Sequence, residues 1–167
     1  IVNHPKLSSG SNELAYALLA LDARDVEIPE NAKWNREKII NALLNFQNRN
    51  DGGFGLYGNN DSGIDTTAMA LQALAPYEGE NSKAKEAIEK GLDYLKKNLS
   101  AEYDAGTAEA TAQVLIAVTV LNRDLLNAAS GFGTAYKNLV TSLSSYKVGG
   151  STGFSHVKDG AENSMAS

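Results

Sequence analysis

The sequence predicts an all-α fold of consecutive antiparallel helix hairpins, with an inner layer of helices wrapped by an outer one. Three observations predict it. Apolar residues recur at spacings of three and four rather than two. The helical segments alternate between nearly all-apolar and amphipathic. The loops joining them repeat with a period near fifty residues, the signature of a helix-pair repeat.

Taken in chain order, Leu14 to Leu21 is apolar on almost every side and must be buried on most of them. An amphipathic helix follows, striped by Ile39, Ile40, Leu43 and Leu44, with Trp34 near its start as a packing anchor. Ala68 to Ala75 is the second apolar helix, interrupted only by Gln72. Ala84, Ala87, Ile88, Leu92 and Leu95 stripe the next amphipathic one. Ala112 to Leu121 is apolar but for Gln113 and Thr119, and Tyr136, Leu139, Val140 and Leu143 mark the last stripe. No strand is needed to account for these segments, and such hairpins stack into two helical layers.

The connecting loops are Asn48 to Ile64, Lys96 to Gly106 and Lys147 to Gly160. An aromatic residue marks each, at Phe54, Tyr103 and Phe154. An acid opens each apolar helix, at Glu13, Asp65 and Glu109, and Glu162 is expected to open a truncated fourth. Thr67, Thr111 and Ser164 each follow their acid by two positions. The plain reading of the acids is helix capping and attraction to the positive end of the macrodipole. Their common placement predicts one rim where acids and Gly-aromatic loops crowd together.

The segment Gln47-Asn48-Arg49-Asn50-Asp51-Gly52-Gly53-Phe54-Gly55, followed by Asp65-Thr66-Thr67-Ala68-Met69-Ala70-Leu71, resembles the repeat of the terpenoid cyclase and protein prenyltransferase superfamily. Degenerate copies follow at Tyr103-Asp104-Ala105-Gly106 with Glu109-Ala110-Thr111, and at Thr152-Gly153-Phe154-Ser155 with Glu162-Asn163-Ser164. The resemblance implies a partial α/α toroid over residues 1–167, three helix pairs and the start of a fourth. About six pairs close such a toroid, so the chain reads as a fragment of a larger exported protein. Its open apolar edge calls for a homodimer partner or an additional domain.

Within that superfamily, Thr66 to Leu74 and Thr111 to Ala117 look most like non-catalytic bacterial surface domains related to the helical domain of transcobalamin and intrinsic factor. This implies an extracellular or cell-surface location, and makes cobalamin the first ligand to consider. The superfamily's cyclases protonate substrate with D-x-D-D-T-A. Here Gly63-Ile64-Asp65-Thr66-Thr67-Ala68 keeps only the middle acid, without the neighbouring carboxylates that tune a proton donor. Its prenyltransferases hold zinc through Asp, Cys and His, and this chain has no Cys and two His.

Composition narrows the remainder. A chain of 167 residues can bury about 70% of its unfolded surface. The net charge of −5 argues against nucleic-acid binding, and no apolar run reaches the length of a membrane span. Zero cysteines exclude a disulfide framework and a thiol nucleophile. His156 and Asp159 are too few ligands for a metal site. Gly53 to Gly58 fits G-x-G-x-x-G but follows a helix, and Gly149 to Gly153 fits G-x-S-x-G but follows a polar helix end; both lack the strand their chemistry requires.

The expectation is a non-enzymatic ligand-binding or structural domain of a bacterial surface protein, with a small-molecule, protein or glycan partner. Candidate ligand contacts are Phe54, Tyr57, Asp65, Glu109 and Gln113, with no catalytic residue and no cofactor assigned. A cyclase-like or polysaccharide-active enzyme is the alternative, and a structural spacer or adhesin a further one.

Overall fold

A computed structural model describes residues 1–121 and 135–166. Its helices are α1 (Ser11–Asp22), α2 (Arg36–Leu44), α3 (Ile64–Leu74), α4 (Ser82–Asn98), α5 (Ala108–Val120) and α6 (Ala135–Ser144). Each covers one of the expected periodic segments, so the chain is mostly helical. The side chain of Tyr136, expected in the last stripe, lies outside the described residues.

Local chemistry sets the helix starts. Asn35 accepts from the Lys38 N–H to cap α2, Asn81 accepts from Lys83 and Ala84 to cap α4, and Thr107 accepts from Ala110 to cap α5. The acids assigned to capping do not cap. Gly10 and Gly63 occupy the cap positions of α1 and α3 and offer no side chain. Glu13, Asp65 and Glu109 lie inside the first turns, where they meet the helix dipole without closing the end.

The α3 helix lies between α1 and α5 and also packs on α4, while α1 packs on α2 and α5 on α6. Accordingly α3 buries eight of its eleven residues, including Thr66, Thr67 and Gln72. Gln72 donates from Nε2 to the Gln113 carbonyl at 3.0 Å and to its Oε1 at 2.6 Å, tying α3 to α5. The flanking helices are less covered: Tyr16 on α1 is 54% exposed, and Ile116 and Val120 on α5 are 46% and 50% exposed.

Contrary to expectation, a short antiparallel pair forms, β1 (Phe54–Gly55) with β2 (Ser62–Gly63). It forms because the loop after α2 must satisfy the backbone around a fully buried Phe54. Thr67 Oγ1 accepts from the Phe54 N–H at 2.8 Å, and Thr66 Oγ1 donates to the Phe54 carbonyl at 2.7 Å.

The same loop recurs one hundred residues later. The N–H groups of Asn48, Gly55 and Gly53 bond Gly53 O, Phe46 O and Asp51 Oδ1. Those of Val148, Ser155 and Gly153 bond Gly153 O, Tyr146 O and Ser151 Oγ. Ser62 donates to Asp51, and Ser151 donates to Glu162. Glu162 therefore takes the place of Ser62, not that of Asp65, and bridges Ser155 in the strand-like turn. It opens no helix among the described residues. Asn163 follows it and accepts at Oδ1 from the Met165 N–H at 2.8 Å.

The middle loop breaks the rhythm expected of it. Thr111 stands where Thr67 stands, at the fourth position of its helix, and accepts from the Ala105 N–H at 3.2 Å. Ala105, rather than Tyr103, is thus the counterpart of Phe54. Tyr103 instead adopts φ +59° in a tight turn before Gly106 at φ +90°.

Candidate functional site

The starts of α3 and α5 meet the loop 153–160 across an open cleft of about 450 Å³, lined by Ile64, Asp65, Thr107, Glu109, His156 and Met165 among others. A smaller cleft of about 250 Å³ adjoins it, sharing Glu109 and Met165 and adding Ala112, Gln113, Leu143 and Phe154. Glu109 Oε2 lies 2.8 Å from His156 Nδ1.

Three contacts seat the loop. The Ala108 N–H donates to the His156 carbonyl at 3.1 Å, His156 meets Glu109, and Lys158 Nζ approaches Asp104 Oδ2 at 2.7 Å. Asp104 also accepts from Ser142 Oγ, Tyr146 OH and the Gly106 N–H. Burial pushes its carboxyl pKa up, but Lys158 and these donors prevail and hold it well below the usual carboxylate range. This anchored anion fixes the far side of the loop while the His156 side faces the cleft.

Of the five residues read from the sequence as ligand contacts, three line these clefts: Asp65, Glu109 and Gln113. Gln113 is also held by Gln72, which orients its amide. Phe54 is fully buried and serves the core under its loop. Tyr57 is 83% exposed at the loop tip and lies outside both clefts.

The sequence marks His156 only as a possible metal ligand beside Asp159, whereas its ring turns to Glu109 on another element. Asp104 was visible only as the acid after a degenerate repeat aromatic.

The two glycine patterns serve turns. A Cβ on Gly53 would stand 2.8 Å from the Tyr94 ring, and one on Gly55 would overlap the Gly58 carbonyl oxygen. Ser151 is engaged by Gly153 and Glu162. Among the described residues, no group of three or more His, Cys, Asp or Glu is placed to hold a metal ion, and no helix is long and apolar enough to cross a membrane.

The described geometry defines a mostly helical protein with an acid- and imidazole-lined cleft at the starts of two neighbouring helices, adjoined by a smaller one that Gln113 lines. No protein-family model matches the chain, and no curated protein matches it significantly.

Proposed function

We propose that this chain is a non-enzymatic binding domain of an exported bacterial surface protein, a segment of an α/α toroid whose ligand site is the cleft between the starts of α3 and α5. The observation that carries the reading is the convergence of Asp65, Glu109 and His156, from three separate elements, on one open cavity. Two carboxylates suit a ligand rich in hydrogen-bond donors. The alternation of apolar and amphipathic helices, and the packing of α3 between α1 and α5, support the toroid segment.

Cobalamin, whose peripheral amides carry such donors, is the first ligand to test, by equilibrium dialysis from nanomolar to micromolar protein. Saturable one-to-one binding, weakened at least tenfold by Asp65→Asn with Glu109→Gln, supports the reading. Absence of binding to high micromolar removes cobalamin and moves weight to a spacer or adhesin role, read by glycan binding to the same protein.

The Glu109–His156 contact favours a second reading, since a carboxylate that orients an imidazole is a common general-base arrangement. Turnover of an isoprenoid or glycan substrate that disappears in Asp65→Asn or His156→Ala, with thermal stability kept, would replace the binding reading with an enzymatic one.

A further inference from the structure

We infer that a cleft between the loop after α2 and the first turns of α4 binds the phosphate group of a small molecule, whether free phosphate or a phosphate ester. The cleft encloses about 330 Å³, is lined by Gln47, Asn48, Arg49, Lys83, Glu86 and Lys90 among others, and shares no lining residue with the α3–α5 site. Binding there is independent of any ligand at α3–α5.

The walls are tied together before any ligand arrives. Gln47 donates from Nε2 to the Gly52 carbonyl and to the Ala87 carbonyl on α4, both at 2.9 Å. Asn48 is only 8% exposed and holds the turn that carries Arg49, accepting from the Asn50 N–H at 2.9 Å and donating to Asp51 at 3.2 Å. Arg49 on the loop and Lys83 on α4 line the same cleft, and their side chains enter no hydrogen bond or ion pair among the described residues. The third cation, Lys90, meets Glu86 at 2.7 Å in an exposed i,i+4 pair. Such a pair is too weak to withhold the ammonium from a second anion.

Folding does not account for these cations. In the repeated loop, Val148 donates to the Gly153 carbonyl as Asn48 donates to that of Gly53, and Gly149 stands in place of Arg49. Lys83 lies in the first turn of α4, where the positive end of the helix dipole disfavours a cation. Three cations against one acid concentrate positive charge on a chain whose net charge is −5. A phosphate can take the Arg49 fork and both ammonium groups at once, whereas a carboxylate has only two oxygens to share among them. The overall negative charge repels an extended polyanion, which leaves a ligand small enough to lie within the cleft.

The test is a titration of the 167-residue chain with inorganic phosphate and with glycerol phosphate, followed by two-dimensional amide NMR. Chloride is adjusted to hold the ionic strength constant, and glycerol is the neutral control. Saturable shifts should fall on the turn from Gln47 to Gly52 and on α4 from Lys83 to Lys90, and glycerol should produce none. Arg49→Gln and Lys83→Gln should each weaken binding at least about fivefold, and Glu86→Gln, which frees Lys90, should tighten it. Lys97→Gln, in the last turn of α4 and outside the cleft, should leave it unchanged. All these side chains are exposed, and circular dichroism checks that each variant stays folded. Tighter binding of the ester assigns the cleft to a phosphorylated compound, and equal or tighter binding of inorganic phosphate assigns it to the free ion. Absence of saturable shifts with either probe would overturn the proposal. Binding that survives both Arg49→Gln and Lys83→Gln, or that Lys97→Gln weakens as much, would overturn it as well.

Discussion

Tyr146 donates its phenolic hydroxyl to Asp104 at 2.7 Å, joining the end of the third helix pair to the loop that leads into α5. Ser142 and Lys158 converge on the same carboxylate from α6 and from the cleft loop. One anion therefore holds three segments together at the back of the candidate site.

Replacing Asp104 with Asn should lower stability by about 1.5–3 kcal/mol at neutral pH, the scale of hydrogen bonds to a charged group. Because the folded-state pKa of this carboxyl is depressed, its stabilisation is present above the ordinary Asp value and is lost as pH falls below about 4 toward the folded value. Urea unfolding of both proteins across that range should show the gap narrowing with acidity. A gap constant down to pH 3 would refute the assignment. Lys158 is 46% exposed, so its removal should cost no more than about 1 kcal/mol.

Three tyrosines should ionise late. Burial, then the hydrogen bond to Asp22, raises Tyr77 far above the ordinary phenol range. Burial also raises Tyr94, and burial with the Asp104 bond pushes Tyr146 up to about 12. A phenol whose folded pKa is raised stabilises the fold below its unfolded value and loses that contribution as pH climbs past about 10. Phenolate absorbance from Tyr77, Tyr94 and Tyr146 should thus lag in the native protein relative to the urea-unfolded chain. Superimposable titration curves would disprove it.

The consecutive threonines Thr66 and Thr67 satisfy both backbone groups of the buried Phe54. Thr67→Val keeps the shape and leaves the Phe54 N–H without its acceptor, and should cost about 1–3 kcal/mol. Thr66→Val should act on the Phe54 carbonyl in the same way. Guanidinium denaturation measures both, and a neutral result for Thr67→Val would show that the bond contributes nothing net.

Gly52 adopts φ +83°, and a Cβ there would lie 2.7 Å from the Lys90 carbonyl oxygen on α4. Gly52→Ala combines a disfavoured backbone with a clash against a helix that cannot yield cheaply, and should destabilise by at least about 1 kcal/mol. Gly79, in open space, is the control: Gly79→Ala should shift the melting temperature far less.

Among the described residues, the order and character of the helices were legible in the sequence, because periodic burial writes itself directly into residue spacing. Asp65 and Glu109 stand at one cleft and Gln113 at the adjoining one, since helices entered from like loops begin at one end. The register of the loops was not legible. Tyr103 occupies the aromatic place by spacing, yet Ala105 takes the hydrogen bond that Phe54 takes. Glu162 likewise matches Asp65 by charge, while the strand-like pairing sets it opposite Ser155.

What the sequence by itself determined is a mostly helical chain of alternating apolar and amphipathic segments, without cysteine chemistry and with Glu13, Asp65 and Glu109 at helix starts. Only the tertiary structure decided which of those acids face a cavity, that His156 turns to Glu109, and that Phe54 is core while Tyr57 is surface. The physical reason is reach. Helix periodicity is local, whereas a loop's conformation is chosen by whichever donors and acceptors its buried backbone finds, and Thr66 and Thr67 lie twelve and thirteen residues from the Phe54 they hold, Thr111 six from Ala105.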